Sequence, residues 1–196
     1  MTTVTRTLEQ QRAEFSNQKL LAMPLAGTIV WLIIGISGIF LSQVQAVWTI
    51  FIGTGSIVYL GIFLSKFTGE DFMDKSKPKN AFDELFLLSV GMALLVYAIA
   101  IPFFMIDHTS LPMTVGILTG LMWLPLSWII QHWIGIVHSL VRTISVVTLW
   151  YLFPSERFVF IPFCIVAIYA FTIVVLQRRS AVGTRRTDSV PNLKTP

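Results

Sequence analysis

The sequence predicts an all-α fold: a polytopic integral membrane protein with six transmembrane helices and both termini in the cytoplasm. Composition is the first reason. Of 196 residues, 55% are hydrophobic and 12% charged, and the mean hydropathy is +0.75; a soluble core of this size would still need a charged shell. Spacing is the second. Between the charged stretches lie six apolar runs, at about 20–41, 46–65, 85–105, 111–130, 133–153 and 158–177, and about 20 apolar residues cross roughly 30 Å of hydrocarbon as a helix. The third is the placement of basic residues. Arg6, Arg12, Lys19, Lys66, Lys75, Lys77, Lys79, Arg178, Arg179, Arg185, Arg186 and Lys194 fall on one side of the six-span arrangement, and only Arg157 falls on the other. Lysines and arginines beside spans stay in the cytoplasm, so this asymmetry sets the orientation and independently supports an even number of spans.

Residues 1–19 read as a cytoplasmic N-terminal segment. Thr7 and Gln10 have the spacing of a capping box, and Leu8 and Phe15 would share a helical face. Two apolar positions make a weak stripe, however, and a polar tail is the ordinary fate of a terminus. No small-residue cleavage pattern follows the first apolar run, so the first span is expected to stay as an uncleaved anchor. The connections are short, except for a charged stretch at 66–84. That stretch mixes Glu70, Asp71, Asp74, Asp83 and Glu84 with lysines in no metal-binding spacing, and it reads as a solvated loop. Trp48, Trp150 and Tyr151 fall at outer helix ends, where amphipathic rings suit the interface. After the transmembrane domain at 20–177, residues 178–196 read as a basic, disordered cytoplasmic tail at the membrane edge.

The net charge of +4 does not point to nucleic acid, because no basic face with interleaved aromatics lies outside the spans. The expected partners are the bilayer and anionic headgroups at the cytoplasmic face, with room for a small solute and for a homo-oligomer. Cys164 is the only cysteine, which excludes an intramolecular disulfide and a cysteine metal cluster; no cofactor or metal is expected. Small residues mark helix contacts: Gly116 and Gly120 have the spacing that lets membrane helices approach, and Gly27, Gly35 and Gly38 line one side of the first span. An I-P-F tripeptide occurs at 101–103 and again at 161–163, yet the two halves do not otherwise align as a repeat.

The stretch from Trp123 to Arg142 concentrates polar groups between spans. On the fourth span Gly116, Gly120, Trp123, Ser127 and Gln131 recur every three or four residues; on the fifth, His138, Arg142 and Ser145 do. A reversal near Gln131–Trp133 would set these faces against each other. Pro125 frees the carbonyl of Leu121, which could coordinate an ion or substrate, as Pro102 and Pro162 free those of Ala98 and Phe158. An arginine at a helix centre costs about 2.5–3.5 kcal/mol on insertion scales, and no acid occurs at a comparable depth. Three readings of Arg142 stand: it is satisfied by carbonyls, Ser127, Gln131 and tryptophan faces; it holds an anionic ligand; or the reversal lies at 133–136 and it snorkels to the interface. His138 reads first as a packed, hydrogen-bonded histidine.

An enzyme is not expected. Neither H-E-x-x-H nor G-x-S-x-G occurs, and no aspartate pair lies in facing spans. The run W-L-P-L-S-W-I-I-Q-H-W-I-G-I-V-H-S-L-V-R, followed by T-L-W-Y-L-F-P, resembles small bacterial multi-pass proteins of an uncharacterised membrane family. That resemblance implies the fold and no catalytic residues. The reading that emerges is a transporter or channel for a small anionic or polar solute, with a site of Arg142, His138, Gln131, Ser127, Trp123 and Trp128. The alternative is a membrane scaffold, assembly factor or sensor in which the same residues hold helices together.

Overall fold

In the computed structural model residues 6–70, 72 and 78–188 are described, with 181–188 as backbone only. Of the charges expected in the 66–84 loop, Asp71, Asp74, Lys75 and Lys77 lie outside this set, as do residues 189–196 of the expected tail. The chain forms α1 (Leu8–Ser16), α2 (Ala22–Phe40), α3 (Gln43–Thr68), α4 (Ala81–Leu95), α5 (Tyr97–Ile106), α6 (Leu111–Gly120), α7 (Trp123–Ile129), α8 (Ile134–Leu152) and α9 (Arg157–Asp188), with a 3-10 turn at His108–Ser110 between α5 and α6. Among the described residues there is no strand. Six segments are long and apolar enough to cross a membrane: Ala22–Phe40, Gln43–Thr68, Ala81–Ile106, His108–Ile129, Ile134–Leu152 and Arg157–Ser180. The chain is therefore a multi-pass membrane protein in which the end of α1 and the end of the last span meet at one end of the bundle.

Local chemistry sets the ends of these helices. Ser42 and Gln45 close a capping box at the start of α3, and Gly69, in the left-handed region at φ 79°, ends it, a conformation a side chain would strain. Asn80 accepts the backbone N–H of Phe82 and starts α4. The last helix runs on to Asp188 instead of ending at 177, so residues 178–188 are helical where a disordered tail was expected.

The third and fourth spans are both interrupted near mid-length. α4 gives way to α5 at Val96, upstream of Pro102, whose ring removes the donor to Ala98 and crowds the preceding turn. α6 gives way to α7 at Leu121–Met122, which puts Pro125 in the first turn of α7, where a missing N–H costs least. The carbonyl of Leu121, expected to be free for an ion or substrate, instead accepts the N–H of Leu124 at 3.0 Å. A tight turn has consumed it.

α2 lies between α3 and α9, while α4 and α5 pack mainly against α1, α6 and α7. The glycine stripe of α2 faces α9 as its spacing suggested. A Cβ at Gly27 would sit 2.6 Å from the Tyr169 ring, one at Gly35 3.1 Å from Phe163, and one at Gly38 would collide with the Phe158 carbonyl. That last carbonyl is the one Pro162 frees, and it rests against the α2 backbone.

The N-terminal segment is a helix, and it is docked. The Thr7–Gln10 capping box forms. Phe15 is buried with its ring 5.9 Å from that of Phe86, whereas Leu8, expected on the same apolar face, is exposed. Asn80 donates to the Gln11 carbonyl at 2.7 Å, Gln11 accepts the N–H of Ala81 at 2.9 Å, and Arg179 donates to the carbonyls of Ser16 and Gln18. These long-range bonds are why a tail became a helix; a nine-residue helix is marginal alone.

The stretch at 66–84 is also more than a solvated loop. Glu70 is buried and its carboxylate accepts the N–H groups of Leu21 (2.7 Å) and Ala22 (3.2 Å). It caps the first turn of α2 from 49 residues away in sequence, where Leu20 takes the left-handed region at φ 56° and α2 has no local side-chain cap. A carboxylate at a helix N-terminus gains from both hydrogen bonds and the helix dipole. Glu70→Ala is expected to lower unfolding stability in detergent by about 1–2 kcal/mol, with Glu70→Gln losing less because it keeps an acceptor; thermal melts of the purified variants measure both.

Candidate functional site

Arg142 lies in the middle of α8, eight residues after Ile134 and ten before Leu152, or about 12 and 15 Å at the helical rise. The reversal that precedes it falls at residues 130–133, between α7 and α8. The side chain has no exposed surface, so it does not snorkel. Its Nε donates to the carbonyl of Gly116 at 2.6 Å, Nη2 to Thr119 Oγ1 at 3.0 Å, and Nη1 to Tyr169 Oη at 3.2 Å and His138 Nε2 at 3.5 Å. Its carbon Cζ stands 5.4 Å from the Trp31 ring centroid and 5.3 Å from that of Tyr169. Among the described residues no carboxylate pairs with it. The guanidinium is thus held by neutral dipoles and aromatic faces alone, and its charge is uncompensated.

Hydrogen-bond bookkeeping assigns the protons around it. The single hydroxyl proton of Thr172 goes to the Ile168 carbonyl at 2.8 Å, so the 2.8 Å contact between Thr172 Oγ1 and His138 Nδ1 makes Nδ1 the donor. Nε2 is then the lone-pair side, which suits the neighbouring guanidinium. His138 is neutral here, stacked on Trp123 at 4.4 Å between centroids and tilted against Tyr169 at 4.9 Å. Thr119 likewise gives its proton to the Val115 carbonyl at 2.6 Å and accepts from Arg142. Tyr169 accepts from Arg142 and keeps its own proton uncommitted to these bonds.

Glycines make the space. A Cβ at Gly120 would lie 2.8 Å from Arg142 Cδ and 3.0 Å from Nε, so this glycine admits the arginine side chain, whereas the space at Gly116 is taken by Ile165 at 3.2 Å. Ser139 donates to the Gly120 carbonyl at 3.0 Å, which the break after α6 exposes. The same break brings Thr119 and Trp123 to the wall of a cavity of about 50 Å³, with Thr54 of α3, Tyr97 at the start of α5, Met23 and Tyr169. Thr54 donates to the Ile50 carbonyl at 2.6 Å and accepts from the Tyr97 hydroxyl. The cavity sits at mid-span, and Arg142 stands one layer behind Thr119 and Tyr169.

Of the six residues expected to form the site, Arg142, His138 and Trp123 come together. The other three belong to the α7–α8 reversal. Ser127 donates to the His132 carbonyl and accepts from Ile136 N–H at 3.3 Å. Gln131, at φ 51°, is exposed and donates to the Trp128 carbonyl at 2.6 Å. Trp128 is 59% exposed, with Arg12 of α1 stacked over it at 4.3 Å. The periodicity that joined Gln131 to Trp123 fails because α7 ends at Ile129, whereas Ser127 stays on α7 with its hydroxyl bonded into the reversal. In the same turn His132 accepts the N–H of Ile134 at 3.2 Å, and burial, then the charge of Arg179, hold its imidazole below the usual range. Tyr169, Thr119, Thr172 and Trp31 were not foreseen. Tyr169 and Thr172 are polar residues three apart in the most apolar span, which is the one sequence signal that could have found them.

A model for a family of unknown function, DUF7010, matches residues 8–179. The chain belongs to that family. The matched span begins with α1 and ends at Arg179, so it takes in both the docked N-terminal helix and the Arg142 cluster. Comparison with curated proteins and with solved structures finds no match. Gly120→Ala is expected to cost about 1–3 kcal/mol, as overpacking against an immovable charged group, whereas Gly55→Ala, with nothing within 4 Å of the new Cβ, stays neutral or gains up to about 1 kcal/mol. Denaturant melts of the two variants compare them directly.

Proposed function

We propose that this protein is a transporter or channel in the cell membrane, with both termini cytoplasmic, that passes a small anionic or polar solute through the mid-span cavity. The observation that carries the reading is the uncompensated guanidinium of Arg142 behind a cavity flanked by two interrupted spans. A buried charge is normally paired, and intramembrane ionisable residues mark solute or ion pathways. Discontinuous helices at mid-membrane are the usual walls of such sites. Tyr169 and Thr119 touch the solute: the phenol donates its uncommitted proton, strengthened by the guanidinium bound to its oxygen. Arg142 is the positioning charge, with His138 and Trp123 fixing its rotamer. A volume of about 50 Å³ takes roughly three to five water-sized groups at about 10–15 Å³ each, so the solute has only a few non-hydrogen atoms. The peripheral α4–α5 span, broken at Val96 beside Tyr97, is the element whose movement would open the cavity.

One observation favours the scaffold alternative. Arg142 is hydrogen-bonded on all three nitrogens and does not itself reach the cavity wall, which suits a keystone between α6, α8 and α9. The two readings separate at Tyr169→Phe, which keeps the ring and removes the hydroxyl. Proteoliposomes challenged with gradients of chloride, nitrate, formate or acetate should admit at least one of these faster than empty liposomes. The variant should slow that flux about tenfold or more, in line with about 1.5–3 kcal/mol for a charge-assisted hydrogen bond, while melting within a few degrees of the wild type. Equal flux with and without protein for all four anions, or unchanged flux in Tyr169→Phe, sinks the transport reading.

A further inference from the structure

At the end of the bundle opposite the termini, a crevice of about 630 Å³ opens between the first turns of α3 and the corner where α5 meets the 3-10 turn. Its walls are apolar and aromatic: Val47, Trp48 and Phe51 on α3, and Phe104 on α5. Phe104 holds the corner together, edge-on to Phe51 at 5.5 Å and to His108 at 4.9 Å. Its lining includes one carboxylate. Asp107 Oδ1 accepts both the N–H and the hydroxyl of Thr109, each at 2.8 Å, leaving Oδ2 outside these bonds. Those two hydrogen bonds are also the chief reason its carboxyl lies below the usual range, with Arg157 and His108 adding to the effect, so it is ionised at neutral pH.

We propose that this crevice binds the primary ammonium headgroup of an ethanolamine phospholipid, with Asp107 Oδ2 as its counter-charge. Three features select that occupant. The volume is that of a ligand site, about 300–1,000 Å³, not of a packing defect. The rim opens sideways onto apolar surface, with Val44 68% and Ile106 82% exposed, so acyl chains can continue out of the crevice as a soluble amine could not. The one anion in the lining is a hydrogen-bond acceptor, which rewards N–H donors; a choline headgroup has none and would keep only the undirected attraction of the charge and the aromatic faces. The site does not depend on transport.

Thermal melts of the detergent-purified full chain, titrated with phosphatidylethanolamine, phosphatidylcholine or phosphatidylglycerol of identical acyl chains, test it. The ethanolamine lipid should raise the melting temperature by several degrees more than either of the others. Asp107→Asn keeps the Oδ1 acceptor for Thr109 while removing the charge, and it should abolish that preference without moving the lipid-free melt. Val44→Trp, an exposed position that narrows the mouth from α3 without touching the turn, should lose the preference too, and it decides the matter if Asp107→Asn melts low. Equal stabilisation by ethanolamine and choline lipids, a preference that survives Val44→Trp, or free ethanolamine acting as well as the lipid would overturn the proposal.

Discussion

A guanidinium stays protonated in a protein interior, so an arginine in the middle of a membrane span obliges the surrounding helices to be built for it. In this molecule that obligation falls on Arg142, and it reaches four other helices. α6 yields the Gly116 carbonyl and Thr119, and gives up its own side chain at Gly120. α9 supplies Tyr169. α2 brings Trp31 alongside, and its Gly27 leaves room for the Tyr169 ring. Through α7, Trp123 stacks on His138 and keeps that imidazole turned toward the guanidinium. The glycines, hydroxyls and aromatic rings of the core are therefore one device, in which small residues create the space and polar atoms fill it.

The same demand explains why the interruptions fall where they do. An unbroken fourth span would keep the Gly120 carbonyl inside the helix ladder. The break at Leu121–Met122 releases it to Ser139 and turns Thr119 and Trp123 toward a shared wall. The break at Val96 does the corresponding work on the opposite side, setting Tyr97 against Thr54. Polar backbone at membrane depth is tolerated only where protein or a cavity receives it, and here both breaks border one cavity. The helix interruptions and the candidate site coincide.

At the termini end a second principle operates, in which isolated helix ends are finished by distant residues. Glu70 caps α2, Gln11 and Asn80 tie α1 to the start of α4, and Arg179 reaches the carbonyls after α1. These contacts convert a polar terminus and a charged loop into a collar under the bundle. The family match begins at residue 8 and closes at 179, and so encloses the collar together with the spans.

What the sequence determined by itself was the membrane architecture. Six runs near 20 apolar residues define six helices without reference to neighbours, because in hydrocarbon every backbone group must be satisfied within its own segment. The capping signal at Thr7–Gln10 and the glycine stripe of α2 were legible for the same reason: each is a short-range pattern. Arg142, His138 and Trp123 were legible as polar or bulky groups that a span must account for. Only the tertiary structure decided what surrounds them. Gln131 shared the helical period of Trp123 but left the helix when α7 ended at Ile129, and Ser127, still on α7, spends its hydroxyl on the His132 carbonyl and the Ile136 N–H. Tyr169, Thr119, Thr172 and Trp31 entered it from three helices at sequence separations that no periodicity encodes. A lone charge in a membrane is local information, whereas the dipoles that satisfy it are gathered by packing.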